Sequence, residues 1–124
     1  MSRVRNRNTV PEVRVRSLLH RMGYRFRLHR QGLPGSPDIV FPRHKKVIFV
    51  HGCFWHGHPD CKRSKRPTTN TEFWTTKIDR NIARDIAVQN DLAVIGWSYL
   101  IVWQCETLDV EQLDARLRLF LAPE

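Results

Sequence analysis

The chain has 124 residues, and its 21 lysines and arginines against 12 acids give a net charge of +9. A chain of this length holds one hydrophobic core rather than two, and no apolar run approaches the roughly 20 residues a membrane-spanning helix needs. The basic surplus points to a polyanionic partner, nucleic acid above all, through phosphate neutralisation and counterion release. The opening "MSRVRNRNTVPE" lacks the apolar segment of an export signal, so a cytoplasmic setting is expected. Cys53, Cys61 and Cys105 cannot all pair, and metal explains them better than a disulfide framework.

In chain order, Thr9 and Glu12 have the spacing of a capping box, and Val13, Leu18, Leu19 and Met22 form an apolar stripe, which predicts a helix over about 10–22. "YRFRLH" (24–29) alternates like a half-buried strand, with Tyr24, Phe26 and Leu28 inward and Arg25, Arg27 and His29 outward. After the breaker "QGLPGSP", the runs "DIVF" (38–41) and "KVIFVH" (46–51) predict two paired, well-buried strands joined by a turn. Thr71 as an N-cap and Trp74, Ile78, Ile82 and Ile86 at intervals of four predict a helix to about Asn90. "SYLIVW" (98–103) is a further strand, and Val110, Leu113, Leu117 and Phe120 mark a closing helix with a charged outer face. With no internal repeat or low-complexity linker, residues 1–124 are expected to form one α/β domain, a mixed central sheet flanked by helices, with 1–8 as a basic arm.

The densest chemistry lies in "HGCFWHGHPDC" (51–61). Cys53, His58 and Cys61 from this loop, with Cys105 just past the last strand, make a Cys₃His set suited to a closed tetrahedral Zn²⁺ that staples the loop to the sheet. The alternative is buried, unliganded cysteine. His51 and His56 fall outside that set, and paired strands can bring them to one edge with Asp38.

"LPGSPDIVFPRHKKVIFVHGCFWHGH", "TEFWTTKIDRNIARD" and "GWSYLIVWQCE" together closely resemble the very short patch repair endonucleases, the Vsr family of mismatch-nicking enzymes, over about residues 9–106. The resemblance implies a restriction-endonuclease-like core in which Phe49 and His51 occupy the places of that fold's usual second acid and lysine. It implies Asp38 as the carboxylate that holds a catalytic Mg²⁺, joined by the main-chain carbonyl of Val50, where the family commonly has threonine. By the same resemblance His56 activates the attacking water, His51 contacts the scissile phosphate, and Glu12 and Asp85 are supporting acids. Phe54, Trp55 and Trp74 would wedge between base pairs beside the lesion, and Lys77 and Asn81 would read the thymine and guanine of a T·G pair.

The implied activity is a Mg²⁺-dependent nick on the thymine strand, 5′ to the mismatched T of duplex DNA, in repair of deaminated 5-methylcytosine. A monomer is expected, free in a bacterial cytoplasm or on the nucleoid, with a cytosine-C5 methyltransferase and a MutL-type repair protein as functional partners. Two other readings stand beside it, a zinc-stapled mismatch-binding module without catalysis and a broader nuclease of the same fold.

Overall fold

The computed structural model describes residues 8–123, so most of the basic arm lies outside the described residues. The elements follow the expected order: α1 (Val10–Arg21), β1 (Arg27–Leu28), β2 (Ile39–Phe41), β3 (Lys46–His51), α2 (Thr71–Val94), β4 (Ser98–Trp103) and α3 (Val110–Leu121). The strands lie in the order β1-β2-β3-β4, with β1, β2 and β3 antiparallel in turn and β4 parallel to β3. The sheet is therefore mixed, and α2 is the crossover that the parallel β3–β4 pair requires.

The central strands are apolar at almost every position because both faces are covered. Ile39, Phe41, Ile48 and Val102 pack with Val15, Leu18 and Leu19 of α1 and Leu113, Leu117 and Leu121 of α3. Val40, Val47 and Phe49 face the other way, against Leu92 and Val88 of α2. Each fully buried leucine among these stabilises the fold by roughly 1.5–3 kcal/mol relative to exposure. His51 follows Phe49 by two positions, so strand alternation directs it toward the α2 face at the carboxyl end of β3. The register pairs it with Trp103, the last residue of β4.

Several boundaries depart from the sequence reading. The strand over 24–29 shrinks to two residues, and Leu28 is 41% exposed rather than inward, because pairing with β2 reaches only Arg27 and Leu28. Tyr24 and Phe26 do turn toward the core, packing on its edge. In α1, Val13 is exposed and Val15 takes its place in the stripe, while Met22 is the C-cap. The capping box is half made: Thr9 Oγ1 accepts from Glu12 N–H at 3.4 Å, but the Glu12 carboxylate accepts from Asn8 N–H, one residue before the cap, and meets His29 with its other oxygen. Asp38 stands just before β2 rather than within it. Asn70, not Thr71, caps α2, and the helix continues to Val94. Its buried stripe runs through Ile78 and Leu92, leaving Ile86 exposed, since a 3.6-residue turn drifts off a strict interval of four. In α3, Val110 is exposed and Leu121 completes the buried face.

Candidate active site and metal centre

The loop that follows β3 carries three of the four zinc candidates, and β4 delivers the fourth. One ligand atom each from Cys53, His58, Cys61 and Cys105 lies within 4.8 Å of all the others. Cys105 Sγ is 3.5 Å from His58 Nδ1, and Cys105 N–H donates to Cys53 Sγ at 3.4 Å. Burial, and then the neighbouring sulfurs, push the Cys105 thiol up to about 12, so thiols this close resist ionising together unless a cation joins them. Three sulfurs and one imidazole nitrogen at this spacing fit a tetrahedral Zn²⁺. The His58 ring stacks on Trp103, with centroids 4.2 Å apart, which fixes its orientation.

The catalytic candidates gather as two clusters on the walls of one cleft of about 580 Å³, whose lining includes Glu12, Asp38, Val50, His56 and Gln104. A narrower recess of about 270 Å³ continues past Asp38, Val50 and His56 to His51 and Asp85. The first cluster joins Asp38 to Glu12 of α1 and to His29, a residue the sequence reading sent outward. Asp38 Oδ2 accepts from Val50 N–H at 2.7 Å, so it is the main-chain amide of Val50 that the structure places on Asp38. Burial, with the Glu12 charge adding to it, pushes the Asp38 carboxyl up to about 7 against the pull of Val50 N–H and Arg16. For Glu12, burial acts upward, but the hydrogen bonds from His29, Asp38 and Asn8 N–H and the charge of Arg16 outweigh it and hold the carboxyl low. Two converging carboxylates, one of them disfavoured as a bare anion, fit a divalent cation.

The second cluster is a pair of stacked imidazoles above one carboxylate. His51 and His56 have ring centroids 3.8 Å apart and planes within 6°. Asp85 Oδ2 is 2.7 Å from His56 Nδ1 and 3.9 Å from His51 Nδ1. The carboxylate takes the Nδ1–H of His56 and leaves Nε2 as the basic nitrogen. His51 Nδ1 has no hydrogen-bond partner among the described residues. Burial, then the neighbouring His56, push His51 down to about 4, opposed only in part by Asp85, so it stays uncharged at neutral pH.

Gly57 sets this geometry from below. It sits at φ +60°, and a Cβ there would meet Ile82 Cδ1 at 2.7 Å and Ile78 Cγ2 at 3.1 Å, so only glycine lets the loop settle onto α2 beside Asp85.

Phe54, Trp55 and Trp74 form the expected aromatic group, with centroids 5.2–5.7 Å apart, and Phe73, 56% exposed, extends it. Lys77 Nζ stands 5.3 Å from the Trp55 ring centroid, while Asn81 Nδ2 donates to the Trp55 carbonyl at 2.9 Å. Asn81 thus pins the aromatic loop to α2 in addition to lining the cleft. Arg84, which lines both recesses, escaped the sequence reading although the spacing rule that paired Lys77 with Asn81 also puts it, three residues on, on the same face. His29 left no such signal, because a strand pattern assigns it to solvent.

A mixed sheet flanked by helices thus gathers acids and imidazoles at the carboxyl end of β3, groups able to hold a metal ion and move a proton. Residues 1–63 match the family model described as DNA mismatch endonuclease Vsr. The chain is 54% identical to the type II nicking enzyme V.XorIIP of Xanthomonas oryzae over 99% of its own length and 90% of that protein's. It is 43% identical to the DNA mismatch endonuclease Vsr of Escherichia coli, covering 100% of this chain and 82% of the relative. A type II nicking enzyme of Neisseria meningitidis, V.NmeAIP, is 42% identical over 86% of this chain and 75% of its own. The chain belongs to the Vsr family of DNA mismatch endonucleases.

Proposed function

We propose that this protein nicks duplex DNA on the thymine strand of a T·G mismatch, 5′ to the thymine, in a Mg²⁺-dependent reaction. The observation that carries the proposal is the meeting of Glu12, Asp38 and His56 with Trp55, Lys77 and Asn81 on the walls of a single cleft. The groups proposed for hydrolysis and those proposed to contact bases thereby share one cleft. Asp38 would hold the ion with the Val50 carbonyl, and Glu12 would orient water beside it. When bound, the ion would supply neutralisation of the charge that develops on the phosphodiester. His56 Nε2 takes the proton of the attacking water, with Asp85 steadying the imidazolium through Nδ1. Uncharged His51 donates a hydrogen bond to a phosphate oxygen.

The Phe54, Trp55 and Trp74 rings insert beside the mismatch, where a weaker pair lowers the cost of unstacking by a few kcal/mol. Lys77 and Asn81 face the edges of that pair in the major groove, and binding DNA exchanges the Asn81 bond to Trp55 for a base contact. Repair of deaminated 5-methylcytosine is the setting this specificity serves, with a cytosine-C5 methyltransferase and a MutL-type protein as functional partners. End-labelled duplexes carrying T·G, C·G or T·A at one position, incubated with Mg²⁺ and resolved at single-nucleotide resolution, test the proposal. One cut 5′ to the mismatched thymine, leaving a 3′-hydroxyl and 5′-phosphate, is the expected result. Equal cutting of matched DNA would identify a broader nuclease, and tight mismatch binding with no nick under any divalent ion would identify a binding module.

A further inference from the structure

We propose that His29 is a positioning residue: its imidazole holds Glu12 in place beside Asp38 and thereby sets how tightly the two carboxylates bind a divalent cation. The inference rests on the reading of Glu12 and Asp38 as the divalent-ion site, and it adds a residue to which neither the motifs nor the family resemblance gave a role.

Three observations converge on it. Glu12 is 2% exposed, and both its oxygens are engaged: His29 Nε2 lies 2.9 Å from Oε1, while Oε2 takes Asn8 N–H at 2.7 Å and the Arg16 guanidinium. Without His29 the Oε1 side would lose its partner in a buried setting, and the carboxylate would be drawn wholly toward Arg16. The second observation is the backbone. His29 sits at φ +49°, a left-handed conformation that residues with a Cβ rarely adopt. Its N–H donates to the Asp38 carbonyl at 3.1 Å, so one residue ties the main chain beside Asp38 to the side chain of Glu12. The third is orientation. The alternation of "YRFRLH" would send His29 to solvent with Arg25 and Arg27, yet pairing ends at Leu28, His29 takes a left-handed backbone, and its ring meets Glu12. Ligand-capable atoms of Glu12, His29 and Asp38 then lie within 4.8 Å of one another. A partner that orients a metal-site carboxylate changes cation affinity by about tenfold or more when removed.

The test uses the zinc-loaded protein without DNA, titrated calorimetrically with Mg²⁺ and with Mn²⁺, comparing wild type, His29→Ala and His29→Gln. His29→Ala is expected to weaken both ions by a similar factor, about tenfold. His29→Gln, which keeps an N–H donor, is expected to restore affinity to within about twofold, a rescue that general loosening of the fold would not give. Unchanged affinity in His29→Ala would overturn the inference. So would a loss confined to Mn²⁺ that glutamine does not rescue, since that pattern marks a direct nitrogen ligand. A wild-type protein that binds neither ion would instead remove the divalent-site reading beneath it.

Discussion

Replacing Asp38 by asparagine separates the catalytic role proposed for this half-buried acid from what it does to the fold. Burial first, and then the Glu12 charge, push this carboxyl up to about 7 from an ordinary 3.8. At 1.36 kcal/mol per pKa unit, keeping it ionised at pH 8 without a divalent ion opposes folding by at most about 4 kcal/mol. Solvent screening at a carboxyl that is only half-buried removes part of that bound, so about 2 kcal/mol is the net figure to expect. The sign follows from proton uptake. Between pH 3.8 and about 7 the folded protein holds a proton on Asp38 that the unfolded chain has lost, so this contribution to stability declines as pH rises through that window. Asparagine keeps the shape, its oxygen can accept from Val50 N–H, and its amide can donate to Glu12. Asp38→Asn should therefore be more stable than wild type at pH 8 by about 2 kcal/mol, close to 10 °C in Tm. The gain should shrink toward pH 5.5, and Mg²⁺ should no longer stabilise the variant. Thermal unfolding with zinc retained and Mg²⁺ omitted measures this, alongside a nicking assay and mismatch binding, which should persist. A variant less stable than wild type at pH 8, or one that still nicks, would refute the reasoning.

Cys61→Ala and Cys105→Ala should each lose the single Zn²⁺ and loosen the loop to a similar degree, because a structural ion contributes folding energy directly; elemental analysis and near-ultraviolet circular dichroism read both effects, and freshly purified wild type without zinc would contradict the site. Gly57→Ala should lose about 2–3 kcal/mol in denaturant titration, from the left-handed backbone and the close approach to Ile82 and Ile78, and should slow nicking by displacing His56 from Asp85. Trp55→Ala removes the ring beneath Lys77 and should lower the preference for T·G over matched duplex by about tenfold or more, a loss of stacking of about 1–3 kcal/mol, measured by competitive binding without Mg²⁺.

The parts of the molecule legible in its sequence are those whose residues interact through a fixed period or a local motif. The order of elements, the doubly covered strands and the Cys₃His set all follow from patterns shorter than about a dozen residues, apart from Cys105. The misplaced features share another cause. Leu28 and Val13 obey their local alternation or stripe, but the pairing partner of β1 is short and α1 meets the sheet along Val15, facts that belong to tertiary packing. Glu12 has the spacing of a cap and the place of a supporting acid, and the structure divides its carboxylate between the two: Oε2 reaches back to Asn8 N–H beside the cap, while Oε1 faces His29 in the cluster with Asp38. His29 was illegible because a left-handed turn at a residue other than glycine carries no compositional signature.

Lys77, Asn81 and Asp85 stand on successive turns of the unbroken α2 helix. At 1.5 Å per residue, the lysine and the aspartate are separated by about 12 Å along one continuous helix. In the proposed roles, the residue that recognises the lesion and the one that steadies the water-activating imidazole are graduations on one gauge. The spacing between the two is therefore set by helix geometry and not by a loop. Inserting one residue between Asn81 and Asp85 would rotate the acid by about 100° and uncouple the two events, whereas a loop in the same place would let recognition and incision drift apart over evolution.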